Sequence, residues 1–78
     1  MNSTTLASAQ VGDVCLVTEI AQKPVELRSR LYALGVIPGA SIQILRVAPL
    51  GDPMQIKVGG ALLSMRKTDA RIINVQIQ

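Results

Sequence analysis

The residues able to carry chemistry in this 78-residue chain are few and lie far apart. There is one cysteine, Cys15, and there is no histidine. The five carboxylates are widely separated along the chain: Asp13, Glu19, Glu26, Asp52 and Asp69. Protein metal sites often use paired spacings such as C-x-x-C or H-x-x-x-H, and neither occurs here. The sequence therefore predicts no metal ligand set and no bound cofactor.

The chain also lacks the residues that nucleophilic catalysis needs. A nucleophilic side chain needs an adjacent base, commonly histidine, to activate it. Cys15 lies in the apolar run DVCLV, which predicts a buried and inert thiol. The phosphate-binding pattern G-x-x-x-x-G-K-S/T does not occur, so no nucleotide site is predicted. We expect a protein that is not an enzyme and has no catalytic residue.

The composition indicates one small domain with an aliphatic core. Hydrophobic residues make up 49% of the chain, yet it has one tyrosine and neither tryptophan nor phenylalanine. No apolar run approaches the roughly 20 residues that a transmembrane helix needs. The N-terminus lacks the basic and apolar regions of a secretory signal. We expect a cytoplasmic protein with a loose N-terminal arm over residues 1–9, tacked down by Leu6, and a single domain over residues 10–78.

Alternating apolar and polar residues predict about five short strands in that domain. The predicted strands cover residues 14–20, 41–47, 54–58, 61–65 and 71–77. Residues 67–70 are predicted to form a single 3₁₀-like turn. A sheet this small must curl to cover its apolar face and protect its edges. The pattern predicts a mainly β fold, a small five-stranded barrel with one short helix between its first two strands.

The predicted helix lies between Pro24, which suits a first helical position, and a glycine that ends it. Leu27, Leu31 and Leu34 recur at i, i+4 and i+7, which places them on one face toward the core. Gly35 then suits the left-handed residue that follows many helices.

Two further turns complete the pattern. Pro38 and Gly39 fit the centre of a type II turn. Gly59 and Gly60 predict a two-residue hairpin that pairs Val58 with Ala61, Ile56 with Leu63 and Met54 with Met65.

With its predicted strands, helix and turns in this order along the chain, the sequence resembles the FeoA family. The motifs that carry the resemblance are the joint RLYALGVIPG, the loop PLGDP and the positions Gly12-Asp13, Ile42, Ile44, Leu63, Met65, Arg66, Asp69, Ala70, Ile73 and Val75. The resemblance covers nearly the whole chain and implies an SH3-like barrel. It also implies an accessory or regulatory protein of bacterial ferrous iron uptake. Such a protein would bind the cytosolic GTP-binding region of the membrane transporter FeoB.

Five residues are candidates for contact with that partner: Arg28, Tyr32, Val36, Leu50 and Asp52. Tyrosine and arginine are enriched at interface hot spots, although Arg28 and Tyr32 would also fit a solvated helix flank. Leu50 stands between proline and glycine in the loop of residues 48–53, where it would either dock into a partner or fold back over the barrel end. Of Val36 and Ile37, one is expected to point inward and the other to be exposed.

The net charge of +3 permits attraction to an acidic partner or to the anionic inner membrane surface. Arg46, Lys57, Arg66 and Lys67 would form such a patch only if the strands bring them together. The alternative function is a basic barrel that binds nucleic acid through its phosphates. With no aromatic residue besides Tyr32 to stack on bases, nucleic acid is not the expected partner. The sequence leaves open whether the chain forms homo-oligomers.

Overall fold

The computed structural model describes residues 2–78, which form an antiparallel sheet with two helices. The strands are β1 (Asn2–Thr5), β2 (Val14–Ile20), β3 (Ser41–Val47), β4 (Met54–Val58), β5 (Ala61–Met65) and β6 (Ile73–Ile77). The helices are α1 (Val25–Ala33) and α2 (Lys67–Ala70). The strand order is β1-β6-β2-β3-β4-β5, so β1 and β5 lie at the two ends of the hydrogen-bonded sheet. The mainly β fold class is confirmed, with six strands where five were predicted.

The sixth strand is β1, and it corrects the expectation of a loose arm over residues 1–9. β1 pairs antiparallel with β6, with Thr4 opposite Val75 and Thr5 opposite Asn74. Leu6 follows in a short 3₁₀ turn and is fully buried, as its predicted tacking role requires. β1 forms because β6 offers it an edge and Leu6 fixes its end in the core. Met1, the first residue of the predicted arm, lies outside the described residues.

Strand β2 alternates as its sequence predicts, up to one irregularity. Cys15 and Val17 point into the core. The pairing with β6 then shifts between Val17 and Glu19, which is a β-bulge at Thr18. The bulge returns Ile20 to the buried face, so both ends of β2 contribute to the core.

Helix α1 ends in a Schellman motif. Gly35 N–H donates to the Tyr32 carbonyl at 3.0 Å, and Val36 N–H donates to the Leu31 carbonyl at 2.9 Å. Gly35 has φ +90°, the left-handed region that favours glycine. Leu31 and Val36 are both buried in the core cluster, the hydrophobic pairing that accompanies this cap.

The helix start and its last leucine differ from the sequence prediction. Pro24 is the N-cap residue with extended backbone, one position before the predicted first helical residue. Leu27 and Leu31 are buried as predicted, but Leu34 is 44% exposed. The chain leaves the helix at Leu34, and Val36 takes the core position that the third leucine was expected to occupy.

The joint from α1 to β3 closes with a turn at Pro38-Gly39. Ala40 N–H donates to the Ile37 carbonyl at 2.9 Å, and Gly39 has φ +93°, as a type II turn requires. Gly39 N–H and the Val17 carbonyl also form a 2.8 Å hydrogen bond, which fixes the joint to β2.

The hairpin of β4 and β5 has the predicted register. Val58 pairs with Ala61, Ile56 with Leu63 and Met54 with Met65 across the turn at Gly59-Gly60. The inward residues Met54, Ile56, Val58 and Met65 join one aliphatic core cluster, in which the described buried side chains include no polar or charged group.

Residues 67–70 form a turn of α-helix, where a 3₁₀-like turn was expected. Ala70 N–H donates to the Arg66 carbonyl at 3.0 Å and Arg71 N–H to the Lys67 carbonyl at 3.1 Å, which are i to i−4 bonds. Ala70 is fully buried and holds this turn against the body.

Candidate partner-binding surface

Arg28 and Tyr32 form a joined pair on the outer flank of α1. They lie four residues apart, so they occupy adjacent turns of the same helix face. Arg28 Nη2 donates to the Tyr32 hydroxyl at 3.1 Å, and the guanidinium carbon lies 4.7 Å from the ring centroid. That distance is within the range of a cation–π contact. The two contacts hold an aromatic ring and a cation in a fixed arrangement at the surface.

The Arg28 charge is not neutralised by a carboxylate of the described chain. The salt bridge found within residues 2–78 joins Arg30 to Asp69 at 3.5 Å, and it does not include Arg28. The Arg28 Nε atom is buried without a hydrogen-bond partner among the described residues. A pair fixed in position with an unpaired cation has the properties of an interface anchor.

An exposed apolar residue, Val25, borders this pair. Val25 lies three residues before Arg28 and seven before Tyr32, which places the three side chains on one side of α1. Val25 is exposed. The helix flank therefore combines an aromatic, a cationic and an aliphatic side chain.

Val36 does not belong to this surface. It is fully buried, so its side chain is not available to a partner, which corrects its place among the candidate contacts. The Schellman cap turns Val36 inward and leaves Ile37 outward, so the exposed member of that pair is Ile37.

The loop over residues 48–53 presents Leu50 to solvent. Leu50 is 97% exposed, so the alternative that it folds back over the barrel end is wrong. The loop is closed on itself by hydrogen bonds from Gly51 N–H to the Ala48 carbonyl and from Ala48 N–H to the Pro53 carbonyl. An apolar side chain therefore stands at the tip of a constrained loop.

Asp52 anchors that loop to helix α2. Its Oδ1 atom accepts a hydrogen bond from the Lys67 backbone N–H at 2.8 Å. The bond satisfies one of the free N–H groups at the start of α2, the task that an N-cap side chain usually performs. Asp52 is thus a positioning residue for Leu50.

Comparison with known proteins places this fold and loop pattern in one family. The family model described as "FeoA domain" matches residues 4–77, almost the full length. The chain belongs to the FeoA domain family. The match begins inside β1, which agrees with the N-terminal residues being part of the sheet.

Solved structures of similar chains agree with this FeoA assignment. The FeoA protein from Chlorobium tepidum is 42% identical, and the alignment covers 95% of this chain and 70% of that one, with a TM-score of 0.83. The FeoA-like protein from Clostridium acetobutylicum is 27% identical, with coverage of 99% and 88% and a TM-score of 0.90. The predicted SH3-like fold class is confirmed by the similarity to these solved FeoA structures.

A curated relative contains a FeoA segment within a much larger chain. It is the Fe(2+) transport protein A/Fe(2+) transporter FeoB fusion protein of Porphyromonas gingivalis, 28% identical over 72 residues. The alignment covers 92% of this chain and 8% of that relative. This FeoA domain therefore spans only a small part of that relative.

The single thiol of this FeoA domain is buried in the core. Cys15 is fully buried on β2. Burial raises the pKa of the Cys15 thiol, and the nearby Asp13 carboxylate raises it further. The thiol is therefore protonated near neutral pH. Across residues 2–78, no three histidine, cysteine, aspartate or glutamate residues are grouped where they could hold a metal ion. In the same range, no helix has the length and apolar character to cross a membrane.

One surface of the FeoA domain was missed by sequence reasoning. The outer face of β3, β4 and β5 contains a groove between Leu45 and Leu62, both of which are exposed. Its signal was present in the hairpin register, which places Leu62 opposite Lys57 on the face away from the core. A leucine predicted on the outer face of the hairpin could have indicated an exposed apolar surface there.

Proposed function

We propose that this FeoA-domain protein is a non-enzymatic accessory protein of bacterial ferrous iron uptake that binds the cytosolic GTP-binding region of a FeoB transporter and regulates it. The observation that carries the proposal is the fusion relative, in which the segment like this chain and a FeoB transporter are one polypeptide. Fusion keeps two modules at a high effective concentration, which benefits modules that act together. The proposal places this protein in the cytoplasm, at the inner face of the membrane through its partner.

The proposed contact surface consists of the Arg28–Tyr32 pair and Leu50. The pair supplies a preorganised cation and ring, so little side-chain entropy would be lost on binding. Leu50 supplies an apolar side chain on a loop held by Asp52, so its burial in a partner pocket would gain transfer free energy. None of these contacts requires iron, so the protein would assist iron movement without binding the ion.

The first test is recovery of the partner. Affinity-tagged protein, bound to gently solubilised membranes of its source cells, should retain a FeoB transporter identifiable by mass spectrometry. Recovery of nucleic acid or ribosomal proteins without the transporter would contradict the proposal and favour the phosphate-binding alternative.

The second test is a direct binding measurement with a substitution in the loop. Leu50→Asp should weaken binding to the purified cytosolic region of FeoB by at least tenfold while leaving the melting temperature within about 2 °C, since Leu50 supports no core contact. Val11→Asp is the matched control, because Val11 is also an exposed apolar residue in a loop. Equal affinity of wild type and Leu50→Asp would show that the loop is not the contact.

A further inference from the structure

A row of exposed side chains crosses the outer face of strands β2 to β5. The register places Val14 opposite Gln43, Gln43 opposite Lys57, and Lys57 opposite Leu62. Neighbouring strands lie about 4.8 Å apart, so this row extends about 14 Å across the sheet. Both ends of the row are apolar, and Leu62 is 72% exposed although it lies in the middle of its strand.

A second row lies beside the first on the same face. Arg46 stands opposite Gln55, which stands opposite Ser64. The register shift between Ile44 and Arg46 leaves Leu45 exposed on this face, where Leu45 and Leu62 border a groove of about 260 Å³. All members of the two rows are exposed. We call this set the outer sheet face: Val14, Gln43, Leu45, Arg46, Gln55, Lys57, Leu62 and Ser64.

The outer sheet face is positive and contains no carboxylate. Its charged members are Arg46 and Lys57. The salt bridge found within residues 2–78 joins Arg30 to Asp69, so neither of these two cations is neutralised by it. The carboxylates of the chain lie outside the two rows, in the turn before β2, toward the far end of β2, on α1, in the loop over residues 48–53 and on α2. A face with this charge attracts an anionic partner.

The remaining members of the face are polar and uncharged: Gln43, Gln55 and Ser64. A protein that covered them would need a matched hydrogen-bond partner for each amide and hydroxyl group, because a buried polar group without one is costly. The headgroup region of a bilayer supplies phosphates and water to such groups wherever they stand. Apolar side chains on the same face can then reach the boundary between headgroups and acyl chains.

We propose that the outer sheet face docks directly on an anionic phospholipid bilayer. Leu62, Leu45 and Val14 enter the boundary between headgroups and acyl chains, while Arg46 and Lys57 contact lipid phosphates. Each cation held near an anionic bilayer strengthens binding by about fivefold, so two cations give a weak and reversible contact. The face includes none of the residues proposed to contact FeoB, so this docking does not depend on that contact.

Two other occupants fit the outer sheet face less well. A second copy of this chain, packed face to face, would bring the Arg46 and Lys57 charges of both copies together, and like charges across an interface are unfavourable. A nucleic acid would offer phosphates to the cations, but the face has no aromatic side chain on which a base could stack. Neither occupant uses both the cations and the exposed leucines.

The test compares isotope-labelled protein on two kinds of vesicle, one of phosphatidylglycerol mixed with phosphatidylcholine and one of phosphatidylcholine alone. We expect binding to the mixed vesicles to be at least tenfold stronger and to weaken as salt is added. A spin-labelled lipid in the mixed vesicles should broaden amide signals most strongly in β3, β4 and β5. Equal binding to the two kinds of vesicle, or broadening centred on any other element, would overturn the proposal.

A pair of lysine variants separates the face from the net charge. Lys57→Gln should weaken binding to the mixed vesicles by about fivefold, the effect of one cation near an anionic bilayer. Lys23→Gln is the matched control, because it gives the same net charge but Lys23 is exposed before α1, outside the outer sheet face. Equal losses in the two variants would mean that the net charge alone attracts the lipid, which would overturn the proposal.

A second pair of variants tests the apolar contact. Leu62→Gln should weaken binding to the mixed vesicles by at least fivefold, because the exposed leucine loses its transfer into the bilayer. Val25→Gln, at an exposed aliphatic position on α1, should bind as wild type does. Unchanged binding of Leu62→Gln would show attraction to phosphate without insertion, which would overturn membrane docking. The vesicles contain no transporter, so this result and the FeoB result are obtained separately.

Discussion

At the scale of single residues, backbone requirements were easier to predict than side-chain exposure. Gly35 and Gly39 stand where a helix cap and a turn need positive φ, and few other residues satisfy that need. Leu34 was predicted to be buried because helical periodicity continues through it, yet the helix ends there and Leu34 is exposed. Helical periodicity predicts which face a residue occupies only within the helix. The burial prediction was therefore wrong for Leu34, the C-cap residue.

The first prediction concerns Gly35. Gly35→Val should reduce the free energy of unfolding by about 2–3 kcal/mol, because a β-branched residue is strained at φ +90°. Space is not the reason, since an added Cβ would meet Val58 Cγ1 at an ordinary 4.0 Å. Urea denaturation measures the change.

Gly60→Ala is the control for this substitution. Gly60 lies outside the positive φ region and has no atom within 4 Å of an added Cβ, so its loss should stay within about 0.5 kcal/mol. Gly35→Ala should fall between the two variants. A melting temperature near that of wild type for Gly35→Val would refute the strained placement of the valine.

At the scale of elements, local pairing was predictable and distant pairing was not. The β4–β5 register followed from a two-glycine turn and matching apolar faces, both within twelve residues. Strand β1 was missed because the segment NSTT has no apolar alternation, and its partner β6 lies at the other end of the chain. A polar edge strand is fixed by its partner and by the anchor Leu6, so its own sequence gives little signal.

The element-scale prediction concerns the loop anchored to α2. Asp52→Ala should remove the hydrogen bond to Lys67 N–H and cost about 1 kcal/mol, the usual loss for a missing helix cap. Hydrogen exchange at the Lys67 amide should become faster. Asp52→Asn keeps an acceptor oxygen and should restore most of the protection. If the Lys67 amide exchanges equally in wild type and Asp52→Ala, the anchor is not formed in solution.

At the scale of the whole molecule, the candidate surfaces could not be assembled from sequence. The proposed contact residues come from a helix flank and a distant loop, and the groove needs the registers of β3, β4 and β5 together. Spacing along the chain predicts which residues share one element, but only packing of the sheet decides which elements meet. The fold class was predictable because the turns and faces agree with one another, whereas the surfaces depend on long-range register.

The whole-molecule prediction concerns how the free energy of unfolding depends on pH through the ionisation of Cys15. The folded state keeps the Cys15 thiol protonated to higher pH than the unfolded state does, because burial and Asp13 raise its pKa. Above the unfolded pKa of about 8.5, the unfolded chain binds fewer protons at this site, so stability must fall as pH rises. The decline from this residue ends once pH exceeds the raised folded pKa.

Urea titrations between pH 7 and pH 10 measure this decline, and Cys15→Ala is the reference that lacks the thiol. The difference between the two proteins should be constant below about pH 8 and should then narrow, by at most about 1.4 kcal/mol per pH unit. Lysine and tyrosine titration affects both proteins alike and cancels in the difference. A difference that does not change up to pH 10 would mean that the thiol ionises equally in both states, which is incompatible with a cysteine sealed in the core.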